Sequence, residues 1–388
     1  SHDAGGNFAL QRELATAYEK IGDIQGNPYS ANIGDTDGAL TSYRKSLRIR
    51  ESFGPSVLTP DTQMELGRTY RALGDIMDLK GDVRQTIGDY RRSLQIFAQL
   101  AQKEPANPTV QNELARAYET LADGLGRTAN SDAELLSDYR KSLAICEELL
   151  RQESSSAKRK RAVAINLMKI GGALDPHQPE AITNLRQGVA VLESLAAGDP
   201  NNARARREVG WGYKQLGTTQ VAAGDYPGAV ESLQKSLAIR ESSAAIDPQN
   251  AQASLDLASG HGDLAEALTA KGDPASAMGH ARQGIAILTA LQSTDPTNVI
   301  YSRNLAIHEE RLGDAFARSG ADKSKPAAQR TEAWSEARAS YEKAETIFST
   351  LRDHGTLPPA DTGEPQKFAD LIVRCEQAVK ELTASSDR

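Results

Sequence analysis

Tyr90-Arg91-Arg92-Ser93-Leu94-Gln95-Ile96 is one member of a series. Tyr43-Arg44-Lys45-Ser46-Leu47-Arg48-Ile49, Tyr139-Arg140-Lys141-Ser142-Leu143-Ala144-Ile145 and Leu233-Gln234-Lys235-Ser236-Leu237-Ala238-Ile239 spell nearly the same phrase. Degenerate copies run from Leu185 to Val191, Ala281 to Ile287 and Tyr341 to Ile347. The steps between copies are 47, 49, 46, 48 and 48 residues, with a last step of about 60. A period of this size marks stacked supersecondary units. It overrides the two or three globular domains that 388 residues would otherwise suggest, because repeat arrays grow along one dimension without enlarging a single core.

Upstream of each phrase lies a second apolar pattern. It reads Leu14, Tyr18, Ile21, Gly22 in the first repeat, then Leu66, Tyr70, Leu73, Gly74, and then Leu114, Tyr118, Leu121, Ala122. It continues through Val163, Val209, Leu257 and Leu305. Offsets of four, seven and eight put these residues on one helical face. The Gly or Ala at the last position admits a neighbouring helix at close range, at a cost in intrinsic helicity. This upstream element is helix A of the repeat and the Tyr-Arg-Lys-Ser phrase is helix B.

Lys80-Gly81-Asp82, Ala223-Gly224-Asp225 and Lys271-Gly272-Asp273 separate the two helices. Gly can take the left-handed conformation that ends one helix, and Asp can cap the next. Asp199-Pro200-Asn201, Asp247-Pro248-Gln249 and Asp295-Pro296-Thr297 separate repeats, and proline there is expected to mark the start of each new helix A. The pattern predicts an all-α solenoid of about seven antiparallel helix pairs. Their approximate bounds are 8–54, 55–105, 106–153, 154–200, 201–248, 249–296 and 297–351. An irregular linker at 352–365 leads to an amphipathic helix at 366–383, whose Phe368, Leu371, Ile372, Cys375 and Val379 suit a terminal cap or a docking face for another subunit. Loops are inserted at Gly26 to Gly34, Gly126 to Ser131 and Ala321 to Arg330.

The pattern resembles the tetratricopeptide repeat. Leu66-Gly67, Tyr70, Gly81-Asp82, Ser93 and Pro105 follow that family's order, with helix A about two turns longer, giving 48 residues in place of the usual 34. The resemblance implies a right-handed superhelix whose A helices line the concave side. One segment, Glu13 to Asp35 (Glu-Leu-Ala-Thr-Ala-Tyr-Glu-Lys-Ile-Gly-Asp-Ile-Gln-Gly-Asn-Pro-Tyr-Ser-Ala-Asn-Ile-Gly-Asp), resembles the repeat region that follows the catalytic domain in large bacterial serine/threonine protein kinases. That likeness implies a regulatory or sensor arm controlling a kinase by ligand binding or dimerisation. No Gly-rich phosphate loop, His-Arg-Asp or Asp-Phe-Gly occurs in the chain itself.

The composition offers little for catalysis. Two cysteines, Cys146 and Cys375, cannot form a disulfide framework or a metal knuckle, and each falls at an apolar helical position. The six histidines show no ligand spacing along any one helix and read as surface or packing residues. No cofactor or metal is expected, and the chain reads as a non-enzyme. A net charge of −7 argues against a general nucleic-acid binder. No run of 18 apolar residues and no signal peptide is present, so this segment is expected to make no membrane contact. The chain begins Ser1-His2-Asp3 without an initiator Met and reads as a fragment or a processed chain. Its compartment stays open, cytoplasmic or extracytoplasmic according to whether a membrane span precedes it.

The register inherited from the family places one class of residue on the concave side. Repeats two to five offer Arg68, Arg71, Arg116, Lys158, Arg161, Lys169, Arg204, Arg207 and Lys214 there, with Trp211 among them. Asp61 and Glu119 are the only acids at those positions. Cations gathered on one side of an acidic protein suggest a groove for an acidic or phosphorylated peptide, with Trp211 as apolar anchor. The competing reading is a charge-balanced surface, since Glu65, Glu113 and Glu208 stand beside these cations in sequence. The sequence therefore points to a protein–protein interaction scaffold with a protein or peptide partner, and it leaves a homo-oligomer open.

Overall fold

Gly81, Gly224 and Gly272 all adopt positive φ, at 75°, 79° and 92°. The aspartates that follow them, Asp82, Asp225 and Asp273, accept from the backbone N–H of Gln85, Gly228 and Ser276. One short sequence thus closes one helix and opens the next, as its chemistry requires. The boundaries between repeats differ from expectation in detail. Pro200, Pro248 and Pro296 sit in turns ahead of the helices, and Asn202, Asn250 and Asn298 are the residues whose side chains cap them. An Asn side chain satisfies N–H groups that a proline cannot reach.

The computed structural model describes residues 2–28, 32–128 and 131–386. Parts of two inserted loops, Tyr29 to Ala31 and Ala129 to Asn130, lie outside the described residues. The α-helices are α1 (His2–Gly26), α2 (Thr36–Glu51), α3 (Pro60–Leu79), α4 (Val83–Lys103), α5 (Pro108–Leu125), α6 (Asp132–Gln152), α7 (Ala157–Ala173) and α8 (Pro179–Gly198). They continue as α9 (Ala203–Ala222), α10 (Tyr226–Ile246), α11 (Ala251–Lys271), α12 (Pro274–Thr294), α13 (Val299–Ala321), α14 (Ala327–Asp353) and α15 (Glu364–Ser386). No strand occurs among the described residues, and none of their helices is long and apolar enough to cross a membrane. The third inserted loop is shorter than its sequence suggests, because α14 already begins at Ala327.

The chain divides into two units, 1–174 and 175–388. In the first unit, α1 pairs with α2, α3 with α4 and α5 with α6, and α7 follows against α6. Each B helix also covers the A helix of the next repeat. Ala39, Leu40 and Tyr43 of α2 bury Leu73, Ile76 and Met77 of α3, and Phe97, Leu100 and Ala101 of α4 bury Val110, Leu114 and Ala117 of α5. The second unit begins with α8 and stacks α9 to α14 in the same way around one continuous core. There α15 packs on α14, with Phe368 stacked on Phe348 at 5.7 Å between ring centroids, and it closes that end of the array.

Both cysteines are buried, and burial pushes each thiol up to about 11. They behave as small hydrophobes. The serines of the helix B phrase are also buried, and Ser236 donates to the carbonyl of Gly210 at 2.8 Å.

Candidate functional site: the A-helix faces

A second pairing rule runs through the repeats. The third residue of the phrase, a cation, lies over the helix A tyrosine of its own repeat. Lys45 stands 5.2 Å from the Tyr18 ring centroid, Arg92 5.4 Å from Tyr70, Lys141 5.1 Å from Tyr118 and Lys235 5.2 Å from Tyr213. In the seventh repeat the tyrosine is replaced by Glu309, and Lys343 approaches it at 3.5 Å as an ion pair instead. These cations of helix B are structural.

In the first unit, the helix A cations bridge successive A helices. Arg12 of α1 meets Glu65 of α3 at 2.6 Å. Arg68 and Arg71 of α3 both bind Glu113 of α5, at 2.8 and 2.7 Å. Lys169 of α7 reaches back to Glu119 at 2.7 Å and Asp123 at 2.6 Å. Glu113 is buried, which by itself would raise its pKa, but the charges and hydrogen bonds of Arg71 and Arg68 hold it below the ordinary carboxylate value. Lys169 is likewise held above its ordinary value by Glu119 and Asp123, against the opposing effect of burial.

Arg116 stands apart from these bridges. It is exposed and makes no hydrogen bond or ion pair among the described residues. Enough protein surrounds its guanidinium, however, that desolvation first and the neighbouring Arg71 second pull its pKa down. Lys158 is exposed and unpaired among the described residues, while Arg161 is engaged in an electrostatic interaction of its own.

In the second unit, Asp263 of α11 sits between two cations. Lys214 of α9 lies at 3.8 Å from it and Arg311 of α13 at 3.4 Å, with Arg311 also reaching Glu266 at 3.0 Å. Arg204 pairs with Glu208 one turn along α9 at 2.9 Å. Arg207 and Trp211 stand four residues apart on the exposed face of α9, Trp211 with 38% of its surface open. Of the ten residues singled out in the sequence, five (Arg68, Arg71, Lys169, Arg204 and Lys214) are thus neutralised by carboxylates. Glu113 and Glu208 do what the charge-balanced reading assigned to them.

One cluster was invisible in the sequence. His261 of α11 and His280 of α12 bring their Nδ1 atoms to 3.1 Å, with rings stacked at 5.4 Å. His308 of α13 is buried nearby, its two ring nitrogens each 2.8 Å from a carbonyl oxygen, of Asn304 and of Ala258. Burial first, then His280 and His308, push His261 down to about 4. The histidines lie on three helices, so spacing along any one helix could not reveal them. The usable signal was register, because His261 occupies the helix A tyrosine position. No group of three metal-binding side chains forms among the described residues.

No family model and no curated protein matches the chain. Among solved structures it is similar to BtubC (BKLC) from P. vanneervenii, at 17% identity and a TM-score of 0.51 over 68% of this chain and 94% of that one. It is also similar to the apo form of RapI, at 12% identity and a TM-score of 0.53 over 86% and 99%. At these identities the likeness is one of fold. With the helix pairs and their recurring contacts, it makes the chain an all-α helical repeat protein.

Proposed function

We propose that the chain is a non-catalytic interaction scaffold that binds an acidic or phosphorylated segment of a protein partner on the A-helix face of its first unit. The observation that carries this is Arg116. Glu113 is shared by Arg68 and Arg71, so the third guanidinium faces Arg71 with no carboxylate bonded to it. Glu113, Asp75 and Glu119 attract it from a distance without bonding it, and a guanidinium keeps its proton at any physiological pH, so its hydrogen-bond donors stay available. A carboxylate or phosphate from outside would relieve the Arg71–Arg116 repulsion and accept charge-assisted hydrogen bonds. Lys158 adds a second exposed cation in the same unit, and on the second unit Arg207 beside Trp211 offers a cation with an apolar anchor.

Arrays of acidic and phosphorylated peptides, followed by fluorescence anisotropy on those retained, test the proposal. Binding should weaken as salt rises and fall at least ~10-fold in Arg116→Glu. Peptides that bind Arg116→Glu as well as the original chain would remove the acidic-partner reading. The likeness of Glu13 to Asp35 to kinase repeat regions favours a second reading, a regulatory arm on a bacterial serine/threonine kinase. A kinase domain encoded in the same polypeptide supports that reading, and its absence from the full gene sinks it.

A further inference from the structure

The outer face of α4 carries no carboxylate. Its exposed cations are Arg84, Arg91, Arg92 and Lys103, and every other exposed residue of the helix is Gln or Gly. The one acid of α4, Asp89, is buried on the packed side. On α2, Arg44, Lys45 and Arg48 are exposed together with Asp37 and Glu51. Both of those acids are engaged elsewhere, Asp37 by Lys80 at 2.5 Å and Glu51 by the Tyr70 hydroxyl. The two helices share one surface. Burial raises the pKa of Asp89, and the charges of Arg92 on α4 and Arg44 on α2 both act against that rise. The face ends at α6, where Glu134 takes Arg91 at 3.1 Å and Glu147 and Glu148 are exposed. Lys45 and Arg92 lie on tyrosine rings. That leaves Arg44, Arg48, Arg84 and Lys103 exposed, without a hydrogen bond or ion pair among the described residues.

An anionic partner complements this face, and the face's own chemistry narrows the class. No large apolar side chain is exposed on α2 or α4, whereas protein interfaces centre on aromatic and apolar anchors. No aromatic ring is exposed there either, so the bases of a single strand have nothing to stack on. Arg and Lys interleaved with Gln are the side chains that meet the phosphate and sugar oxygens of a duplex. Arg84 and Lys103 lie about 28 Å apart along the helix axis, the rise of about eight base pairs. We propose that the outer face of α2 and α4 binds the phosphate backbone of a nucleic-acid duplex without reading its sequence. The chain's net charge of −7 does not oppose this locally, because residues 1–174 hold equal numbers of cations and carboxylates. The excess acid lies in the second unit. The site is on B helices, apart from the A-helix cations considered above for an acidic segment.

Fluorescence anisotropy of the 388-residue chain with a labelled DNA duplex, at about 50 and about 200 mM salt, tests this. Neutralising the phosphates facing Arg44, Arg48, Arg84 and Lys103 predicts a slope of about −3.6 in log K against log salt, a loss of ~150-fold between the two conditions. Arg84→Gln and Lys103→Gln should each flatten the slope by about 0.9. Arg84→Glu with Lys103→Glu should weaken binding at least ~10-fold at the lower salt. Arg186→Glu with Arg374→Glu makes the same charge change on exposed residues of the second unit, and should leave binding within about threefold. All four side chains face solvent, so circular dichroism should be unchanged. A chain that does not bind the duplex at the lower salt overturns the proposal. So does binding that the Arg84 and Lys103 changes weaken no more than the second-unit pair does. Single-stranded DNA, polyglutamate or phosphatidylserine vesicles bound as tightly as the duplex would overturn the duplex assignment.

Discussion

Tyr90 donates its phenolic hydroxyl to Asp75 Oδ1 across 2.7 Å while the edge of its ring rests on Gly74. The same triad recurs as Tyr43, Asp23 and Gly22, and again as Tyr341, Asp314 and Gly313. Tyr139 and Asp123 repeat the bond at 2.6 Å beside Ala122. Where helix B carries Leu233 or Ala281 in place of tyrosine, the helix A position is Thr218 or Glu266 and no longer Asp. The two helices therefore vary together, and the tyrosine of the phrase is specified by a bond as well as by volume.

Tyr90→Phe keeps the ring on Gly74 and removes the donor to Asp75. Asp75 is buried, and burial already raises its pKa, so it is left less well satisfied. The expected loss is about 1–3 kcal/mol, read by urea unfolding. Unchanged stability would mean that water or Arg71 compensates the carboxylate fully.

Glu113→Gln removes the counter-charge of Arg71, whose side chain is only 9% exposed. Leaving that guanidinium buried and unpaired should cost about 3 kcal/mol. Arg68→Gln should cost under about 1 kcal/mol, because Arg68 is 38% exposed and solvent screens its share of the bridge. Glu113 titrates below its ordinary value of 4.5 in the folded chain. Its contribution is thus complete above that value and is lost as pH falls through the lower folded one. The ordering of the two variants in urea checks the prediction.

Gly284 and Gly279 lie on one helix and should respond oppositely to alanine. A Cβ on Gly284 would come within 2.2 Å of His308, a ring held between two carbonyls, whereas a Cβ on Gly279 meets nothing within 4 Å. Gly284→Ala should destabilise by ~1–3 kcal/mol, and Gly279→Ala should stabilise by about 0.5–1 kcal/mol. Thermal unfolding of both variants decides it.

Acid should weaken the second unit through its histidines. His261 binds its proton at about 4 when folded and near 6.5 when unfolded, so between those values the unfolded chain takes up more protons. Stability should then fall as pH drops from 6.5 toward 4, by up to about 3 kcal/mol from His261 alone. His280, His308, Glu241, Arg311 and Asp263 face this cluster. Glu309, Glu310 and Asp314 in the same unit have pKa values raised by burial and act in the opposite sense. His261→Tyr, which restores the residue found at this position in four other repeats, isolates the effect. The variant should lose less melting temperature than the original chain between pH 7 and 5.

The apolar register of helix A, the Gly-Asp turns and the period were legible because each depends on chemistry local to a few residues. The candidate site was legible only in part. Arg68, Arg71 and Lys169 appeared as available cations in the sequence, but their carboxylates stand 42 to 50 residues away, on the neighbouring A helix. A separation near one repeat length is what stacking brings into contact, and no scan along a single helix detects it.

By itself the sequence determined that this protein is a stack of helix pairs, where each pair turns, and which face of each helix is apolar. Backbone preference and periodicity act within one repeat and need nothing beyond it. Only the tertiary structure decided which charges are spent inside the array, which histidines meet, and which apolar stripe stays uncovered. Those outcomes depend on what the next repeat places opposite each residue. Leu14 and Leu114 read alike in the sequence, yet one is 46% exposed and the other 8%, because α4 covers Leu114 and no helix of the described chain covers Leu14.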